Sequence, residues 1–499
     1  MRHGPSHSAR CSRTAAISCC LWIAIGSLAG SVARAGDMPV DASSTAASDA
    51  SPAPAAPLGS LVIIGGALRF EDKADGIWSR FIELAGGAGS EIAVFPTASS
   101  QPMESGAKIV NMLKRLNVNA FIVPLGVRNI DKDYKEVAAD PYWVERVSKV
   151  KGVFFTGGSQ ANITKALYRE DGTDTPLLET VRKLYRDGGV IAGTSAGAAM
   201  MSGTMFSHPP AGVLRVLQSG VSHGKELANG LGFLGSNWFV EQHCLVRGRF
   251  ARAVLAMTTA NIPYGIGVDE DTAVVVRQGR EMEVVGYKGA IFMDCSAATK
   301  QPGETRFNVS NVKLSYLDHG DRMDLKTLEI TPFEPKQTQG RIEPAAADFV
   351  PWSGRKLHVA DILGNTTITD VMAEVLTNRH GEARGLAFDV AASMESETET
   401  HGWEFKLYRA ADTHGWQTDV RGHDAVTVAN MRLDVRPVVI QPRWYRAAPA
   451  ATPAVPSPGT EPAPAGQVAD ATTTKPASEP VKDSAEKTAA TPAAVPTEK

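Results

Sequence analysis

Apolar runs alternate with amphipathic stretches through the first half of this chain. The runs are short, and turn-forming residues bound them, which predicts buried strands at 61–66, 91–98, 120–124, 152–155 and 190–192. Windows with helical spacing lie between several of them and predict helices at 77–85, 103–116 and 141–150. Repeated strand–helix units of this kind are typical of a mostly parallel sheet covered by helices. The predicted fold class is therefore α/β, with helices on both faces of the sheet.

A smaller β-rich C-terminal domain is predicted from 335 to 445. Its short alternating runs predict strands at 386–390, 403–407 and 426–435. The two His-Gly-Trp tripeptides, at 401–403 and 414–416, are interpreted as turns. A structural cap and a polymer-binding module both stay open as roles for this domain.

The two ends of the chain differ in composition from the regions that can pack a core. Residues 1–35 combine early arginines, an apolar run and a final Ala-Arg-Ala, which predicts a secretory signal peptide. No cysteine follows the apolar run at the position of a lipid anchor, so we expect a secreted or periplasmic protein with no membrane attachment in its mature form. Residues 36–58 and the Pro/Ala/Thr-rich tail at 447–499 are expected to be disordered. The remaining catalytic domain is expected at 59–325.

Charge and cysteine content narrow the choice of partner. The chain has 51 basic and 54 acidic residues, a formal charge of −3. Removing the four arginines of the expected signal leaves 47 against 54, a charge of −7, which argues against nucleic acid as a partner. Of the five cysteines, only Cys244 and Cys295 lie outside the signal. A disulfide between them stays open, and a free buried thiol at Cys244 is the simpler interpretation.

A serine between two glycines is the strongest chemical signal in the sequence. Ser195 lies in Gly193-Thr194-Ser195-Ala196-Gly197, between a predicted buried strand and a predicted helix start. A sharp strand-to-helix turn of this kind exposes the hydroxyl of a nucleophilic serine. A structural tight turn is the alternative interpretation, but the strand–turn–helix setting favours a nucleophile.

A serine nucleophile needs a base and a group that orients this base. Among the histidines of the α/β region, His243 differs from the others because it ends an apolar strand-like run and precedes a basic helix start. A buried structural histidine stays open as the alternative. Glu270 and Glu226 are the two carboxylates considered for orienting the imidazole.

Four segments in this order resemble the cyanophycinases of serine peptidase family S51. They are Phe154-Phe155-Thr156-Gly157-Gly158-Ser159-Gln160, Gly193-Thr194-Ser195-Ala196-Gly197-Ala198, Glu241-Gln242-His243 with Arg247-Gly248-Arg249, and Gly267-Val268-Asp269-Glu270-Asp271-Thr272-Ala273. The resemblance covers roughly residues 59–325 and implies a class I glutamine-amidotransferase-like α/β fold. It implies an enzyme, a serine-type exopeptidase that cuts cyanophycin, an arginine-bearing polyaspartate, into β-aspartyl-arginine dipeptides.

The resemblance also assigns roles to individual residues. Ser195, His243 and Glu270 would be catalytic, and the backbone N–H groups of Gly158 and Ala196 would bind the oxyanion. The implied substrate contacts are Gln160, Gln242, Arg247, Arg249 and Arg252. A solvated helix face is the alternative interpretation for the three arginines.

Three positions depart from the family pattern, and they concern substrate choice more than the catalytic residues. Ser159 and Glu241 stand where the family usually has Asp, and Cys244 stands where it has Phe. An aspartyl dipeptidase of different specificity, or a non-catalytic binding relative, therefore stays open. The expected partners are the cyanophycin polymer or aspartyl-arginine peptides, and a homodimer stays open. No cofactor and no metal site are expected.

Overall fold

The computed structural model of the 499-residue chain describes residues 58–70, 76–129, 131–419, 425–443 and 445. The predicted signal peptide, the predicted tail and all but the last residue of the leader at 36–58 lie outside these ranges. None of the helices within the described ranges combines the length and the apolar character needed to cross a membrane.

The described residues form twenty strands and twelve helices. The strands are β1 (Ser60–Ile64), β2 (Glu91–Phe95), β3 (Asn119–Ile122), β4 (Gly152–Phe155), β5 (Val190–Thr194), β6 (Thr204–Phe206), β7 (Leu227–Asn229), β8 (Trp238–Gln242), β9 (Tyr264–Val268), β10 (Thr272–Arg277), β11 (Glu281–Gly286), β12 (Ala290–Asp294), β13 (Val309–Leu317), β14 (Arg322–Asp324), β15 (Ile330–Thr331), β16 (Leu357–Val359), β17 (Glu382–Ala387), β18 (Thr400–Tyr408), β19 (His414–Thr418) and β20 (Ala425–Ile440). The helices are α1 (Ile77–Leu84), α2 (Pro102–Arg115), α3 (Tyr134–Ala139), α4 (Pro141–Ser148), α5 (Gln160–Leu167), α6 (Pro176–Arg186), α7 (Ala196–Ala199), α8 (Val213–Ser219), α9 (Phe250–Ala260), α10 (Glu334–Gln339), α11 (Thr367–Thr377) and α12 (Val390–Glu395).

The first sheet has the order β15-β14-β11-β10-β1-β5-β4-β2-β3. Its five strands β1 to β5 pair in parallel, as the strand–helix alternation predicts. The other four strands pair antiparallel, beginning with β10 beside β1. The α/β class is thus confirmed, but the expectation of a mostly parallel sheet is wrong for the whole sheet. The antiparallel half follows from short connections, such as the one between β10 and β11, which cannot hold a crossover helix.

Alternate residues of the central strands point to opposite faces, and helices cover both faces, as predicted. Val62 and Ile64 of β1 pack in the core that includes α1 and α2. Leu61 and Ile63 pack in the core that includes α5 and α6. These four side chains are fully buried, because a strand covered on both sides is apolar at every position. The predicted strands and helices of this region are confirmed, with ends shifted by a few residues.

Side chains cap the starts of two helices in this region. The side chain of Thr175 accepts a hydrogen bond from the N–H of Leu178, and Pro176 occupies the first turn of α6. Asp140 caps α4 in the same way, by accepting from the N–H of Tyr142. A capping oxygen followed by proline satisfies or removes N–H groups that a helix start leaves without partners.

The second sheet has the order β16-β17-β18-β20-β13-β12-β9-β8, with β19 also paired to β20. It is mixed, since β8 pairs in parallel with β9 whereas β9, β12, β13 and β20 pair antiparallel in turn. The β13–β20 pairing means that strands from 59–325 and from 335–445 share one sheet. The two predicted domains stay a prediction, but their boundary does not coincide with a break in this sheet.

The strands predicted at 403–407 and 426–435 are present within β18 and β20. The strand predicted at 386–390 overlaps β17 only at residues 386 and 387, and α12 begins at Val390, so this prediction is wrong for its second half. The interpretation of the two His-Gly-Trp tripeptides as turns is wrong, because residues 401–403 lie inside β18 and residues 414–416 lie inside β19. Gly415 shows why a glycine at this position does not indicate a turn. A Cβ at this glycine would lie 2.4 Å from the carbonyl oxygen of Thr427 in the paired strand, so the glycine permits a close strand approach instead of a turn.

Backbone contacts divide the chain into two compact units. The larger unit contains the described residues up to 387 and residues 403–437. The smaller unit contains residues 388–402 and the described residues from 438 onward. Within the smaller unit, Asp389 caps α12 and the N–H of Arg443 donates to the carbonyl oxygen of Ser393. The site described below lies in the larger unit.

Candidate active site

Ser195 occupies the turn between β5 and α7. Its backbone has φ 55° and ψ −110°, a conformation that non-glycine residues rarely adopt and that often marks a functional position. The two flanking glycines are required sterically. A Cβ on Gly193 would lie 2.1 Å from the carbonyl oxygen of Gly197, and a Cβ on Gly197 would lie 2.6 Å from that of Phe155. The strand–turn–helix geometry predicted for this serine is therefore present.

His243 follows β8 and faces Ser195. Its Nε2 lies 2.9 Å from Oγ of Ser195. The N–H of His243 donates to the carbonyl oxygen of Gly65 at 2.8 Å, and the N–H of Ser195 donates to that of Ile64 at 2.9 Å. The end of β1 thus holds both residues at one edge of the first sheet, where open α/β sheets place their sites.

Glu270 contacts the other side of the imidazole. Its Oε1 lies 2.6 Å from Nδ1 of His243 and accepts a second hydrogen bond from Arg247 at 3.2 Å. Of the two carboxylates considered from the sequence, Glu270 is the one that the structure brings to His243. Glu226 is buried elsewhere and accepts from the N–H and hydroxyl of Ser222.

The surroundings set the charge state of the two central groups. Burial lowers the pKa of His243, and Arg247 and Arg249 lower it further, against the opposing effect of Glu270. The imidazole is therefore neutral near pH 7 and able to accept a proton. Burial opposes ionisation of Glu270, but the hydrogen bonds from His243 and Arg247 outweigh it and lower the pKa of Glu270. The carboxylate is therefore charged and can hold Nδ1–H of the ring.

The loop after β4 lies beside the serine. A Cβ on Gly157 would lie 3.3 Å from Cβ and 3.8 Å from Oγ of Ser195. Within the described ranges, the N–H groups of Gly158 and Ala196 donate to no protein acceptor. Gly158 has φ 141°, and a Cβ there would lie 2.1 Å from the carbonyl oxygen of Ala98. Two free backbone donors next to a serine can stabilise negative charge on an oxygen.

Gln242 and Arg249 form a polar wall next to the serine. Oε1 of Gln242 lies 3.4 Å from Oγ of Ser195 and accepts from Arg249 at 2.9 Å. The same nitrogen of Arg249 donates to the carbonyl oxygen of Gln242 at 3.0 Å. Burial lowers the pKa of Arg249 to about 10, which still leaves the guanidinium charged at neutral pH. A positive charge thus lies next to Ser195.

The structure places Arg252 differently from Arg247 and Arg249. Its guanidinium is buried and makes two hydrogen bonds, of 2.9 and 2.7 Å, to the carboxylate of Glu241. It also lies over the ring of Phe206, 4.5 Å from its centroid. Gln160 is buried as well, and its Nε2 donates to the carbonyl oxygen of Phe206 at 2.7 Å. Arg252 and Gln160 therefore meet at Phe206, with Nε2 of Gln160 and two guanidinium nitrogens of Arg252 donating within the protein.

Two residues that sequence reasoning did not single out also position the site. A Cβ on Gly66 would lie 2.2 Å from Cε1 of His243, so only glycine leaves room for the ring. Asp269 is fully buried and accepts from the N–H of Val246 at 3.0 Å, which ties the residue before Glu270 to the residue before Arg247. Burial raises the pKa of Asp269. The paired glycines after β1 are the signal that could have indicated a close backbone approach.

The two cysteines outside the predicted signal peptide are not joined by a disulfide. Cys244 and Cys295 are both free thiols, and Cys244 is fully buried next to His243 in the chain. Burial raises the pKa of both thiols, to about 12 for Cys295. Within the described ranges, no group of three His, Cys, Asp or Glu side chains is arranged to hold a metal ion.

Known proteins share the region that carries this site. The sequence pattern of peptidase family S51 matches residues 61–284. A solved structure of a peptidase from an acI-B1 Actinobacterium aligns with 54% of this chain and 98% of its own, at 21% identity and a TM-score of 0.39. A cyanophycinase of Geminocystis herdmanii is 34% identical over 280 residues, which are 54% of this chain and 94% of that protein. A cyanophycinase of a Nostoc species is 29% identical over 280 residues, 54% of this chain and 87% of that protein. The family match and the similarity to the Geminocystis herdmanii protein confirm the resemblance deduced from the motifs, and the chain belongs to peptidase family S51.

Proposed function

We propose that this protein is an exported serine peptidase that hydrolyses cyanophycin to β-aspartyl-arginine dipeptides. The observation that carries the proposal is the continuous hydrogen-bonded chain from Oγ of Ser195 through His243 to Glu270. The similarity to cyanophycinases supports the choice of substrate. We further propose the class I glutamine-amidotransferase-like variant of the α/β fold and a secreted or periplasmic location.

In the proposed reaction, Ser195 carries the acyl group, His243 accepts and then donates a proton, and Glu270 orients the imidazole. Oγ of Ser195 attacks the scissile carbonyl while Nε2 of His243 takes the hydroxyl proton. His243 then gives this proton to the leaving amine, which departs as the C–N bond breaks and leaves an acyl-enzyme. Water, deprotonated by the same imidazole, attacks the ester; the bond to Oγ of Ser195 breaks, His243 returns the proton to Oγ, and the acid is released. Glu270 holds Nδ1–H throughout and stabilises the imidazolium that forms.

The N–H groups of Gly158 and Ala196 are proposed to bind the oxyanion of the tetrahedral intermediate. Neither N–H group has an acceptor among the described residues, and the neighbouring Gly157 lies against Ser195; both observations support this role. Backbone donors that are fixed before the reaction stabilise charge that develops in the transition state, because they need no reorganisation.

Arg247 and Arg249 are proposed to bind carboxylates of the aspartyl substrate. Arg249 is mostly buried and lies 3.9 Å from Glu241, whose two oxygens already bind Arg252. One carboxylate therefore balances two guanidinium groups, and a substrate carboxylate would supply the missing negative charge. Gln242 is proposed to orient the substrate next to Ser195. We assign Gln160 and Arg252 to the support of this pocket through Phe206, because Nε2 of Gln160 and two guanidinium nitrogens of Arg252 already donate within the protein.

A relative with different specificity is the second candidate. Its support is Ser159, which precedes α5 beside the Gly157–Gly158 loop and makes no side-chain cap to the helix. The family usually has a carboxylate at this position, so an arginine side chain would lose an anionic contact here. On this candidate the enzyme acts on small aspartyl dipeptides and discriminates little for arginine.

One comparison tests the proposal against this candidate. Purified protein without its predicted signal is assayed on soluble cyanophycin and on a free aspartyl dipeptide, and products are identified by mass spectrometry. We expect release of β-aspartyl-arginine from the polymer with the higher kcat/KM. Hydrolysis of the free dipeptide alone would contradict the proposal and favour the second candidate. Ser159→Asp serves as the matched variant, because it restores the family's carboxylate and should lower KM for arginine-bearing substrate only.

A further inference from the structure

The turn that carries Arg247 and Arg249 contacts a segment that lies beyond the family match. Gly248 between them has φ 57°. A Cβ there would lie 2.4 Å from the carbonyl oxygen of Leu363 and 2.8 Å from its Cα and its Cβ. Leu363 follows the matched residues 61–284 by a long stretch of chain. The backbone at Leu363 is thus in close contact with the turn formed by Arg247, Gly248 and Arg249.

Further contacts join the same two parts of the chain. The N–H of Thr366 donates to the carbonyl oxygen of Leu245 at 3.4 Å. The rings of Phe250 and Phe405 pack edge to face with centroids 5.9 Å apart. These aromatic rings are fully buried and belong to the core that covers the second sheet. C-terminal residues therefore contact the chain both just before the turn, at Leu245, and just after it, at Phe250.

The contacting segment is itself held in place. We call residues 361–366 the strap. The N–H of Ile362 donates to the carbonyl oxygen of Leu386 in β17 at 3.0 Å, and the N–H of Leu363 donates to the side chain of Asp361 at 3.1 Å. A Cβ on Gly385 would lie 2.6 Å from Cβ of Ile362, so the strap lies directly on β17. The strap is thus attached to β17 of the second sheet.

We infer that the strap is a positioning element of the active site. Leu363 holds the Arg247–Gly248–Arg249 turn in the position from which Arg247 reaches Glu270 and Arg249 reaches Gln242. The expected effect on substrate binding rests on the proposed function. The expected effect on the position of the turn rests on the contacts alone. The region after residue 335 would thus influence substrate binding indirectly, by positioning the two arginines, without contacting the substrate. A shift of about 1 Å in such a group can change the rate by roughly 10²-fold.

The test uses a substitution that fills the contact. Gly248→Ala places a methyl group against Leu363, and it should raise KM for soluble cyanophycin by about tenfold or more, with a smaller change in kcat. Gly172→Ala is the matched control. Gly172 also has a positive φ, of 83°, but nothing lies within 4 Å of its Cβ position. The backbone strain is thus shared, and KM of this control should stay within about twofold.

A second substitution assigns the effect to the strap. Leu363→Gly loosens the strap backbone and removes the side chain that lies beside Gly248, so this single variant should also raise KM for soluble cyanophycin, with a smaller change in kcat. In the double variant Gly248→Ala/Leu363→Gly, KM should rise by less than the product of the two single effects, because both substitutions act through one contact. An unchanged KM in either single variant, or fully multiplicative effects in the double variant, would overturn the inference.

Hydrogen exchange separates this inference from the proposed function. The N–H of Arg249 donates to the carbonyl oxygen of Cys244 at 2.8 Å within the turn, so its exchange reports whether the turn is fixed. Leu363→Gly should accelerate exchange across residues 244–250 but not in α6. If the wild-type protein fails to cleave cyanophycin, faster exchange still supports the positioning role and only the proposed function fails. Unchanged exchange would overturn the positioning role whatever the substrate.

Discussion

The imidazole of His243 lies against the α-carbon of Gly66, so close that a Cβ on this glycine would be 2.2 Å from Cε1 and 2.4 Å from Nε2 of the ring. Gly66 also has φ 125°, and its carbonyl oxygen accepts the N–H of Asp271 at 2.8 Å. Gly66, two residues after the end of β1, therefore packs against the ring and connects it to the turn that carries Glu270.

Substitution of this glycine should displace the ring. Gly66→Ala is expected to lower kcat on soluble cyanophycin by about 10²-fold or more, because a displaced imidazole loses its alignment with Oγ of Ser195. Gly89→Ala is the control, since Gly89 has φ 82° and no neighbour within 4 Å of its Cβ position. A Gly66→Ala enzyme as active as the control would show that the ring tolerates the methyl group.

The two carboxylates considered from the sequence should differ strongly in their effect. Glu270→Gln removes the charge that holds Nδ1–H of His243 and should reduce kcat by up to roughly 10⁴-fold, as a wrong tautomer can. Glu226→Gln should cost at least about tenfold less, since Glu226 bonds to Ser222 elsewhere. The measurement is kcat for both variants, with circular dichroism to confirm folding. Equal losses, or a larger loss at Glu226, would refute the role of Glu270.

Arg247 should influence the pH dependence. Its charge lowers the pKa of His243, so Arg247→Gln should raise that pKa. Because His243 must be neutral to act as a base, the acid limb of kcat/KM should move to higher pH in this variant. Arg247→Lys keeps the charge and should leave the limb near the wild-type position, even where KM rises. An acid limb that does not move in Arg247→Gln would contradict the electrostatic effect assigned to this residue.

Sequence reasoning could find the site because its chemistry is concentrated in short motifs. The elbow around Ser195, the lone strand-end His243 and the acidic strand start at Glu270 are each visible locally. It could not predict the contact between Gly66 and the His243 ring or the burial of Arg252 against Glu241, because both depend on how the chain folds in three dimensions. The mixed sheets were missed for the same reason, since strand direction is set by the path of the connections.

The C-terminal region illustrates a further limit. Its strands were visible from alternation, but their pairing with β13 was not, because pairing between distant strands leaves no local pattern. The glycines of the His-Gly-Trp tripeptides suggested turns, whereas a glycine in a strand can also allow a close approach of two backbones. The role of the strap next to Gly248 likewise became visible only from the fold.

A buried ion pair ties this region to the rest of the larger unit. Nζ of Lys336 lies 3.0 and 2.9 Å from the two oxygens of Asp321 and 2.9 Å from the hydroxyl of Thr427, and all three residues are fully buried. Lys336→Met would leave the Asp321 carboxylate without its counter-charge. We expect the free energy of unfolding to fall by about 3–5 kcal/mol.

Chemical denaturation measures this loss, and Lys326→Met provides the control, because Lys326 is exposed. The control should change stability by no more than about 0.5 kcal/mol. Equal denaturation midpoints for the two variants would mean that the buried pair contributes nothing to holding the C-terminal region in place.

The central claim is that Ser195 is the nucleophile of a cyanophycin-cleaving peptidase. The most direct measurement is the rate of β-aspartyl-arginine release from soluble cyanophycin by the wild-type protein and by Ser195→Ala, followed by mass spectrometry at equal concentrations of folded protein. We expect release by the wild type and a loss of roughly 10⁴-fold or more in Ser195→Ala, since removing the nucleophile abolishes the covalent step. Release by Ser195→Ala within about tenfold of the wild-type rate would contradict it.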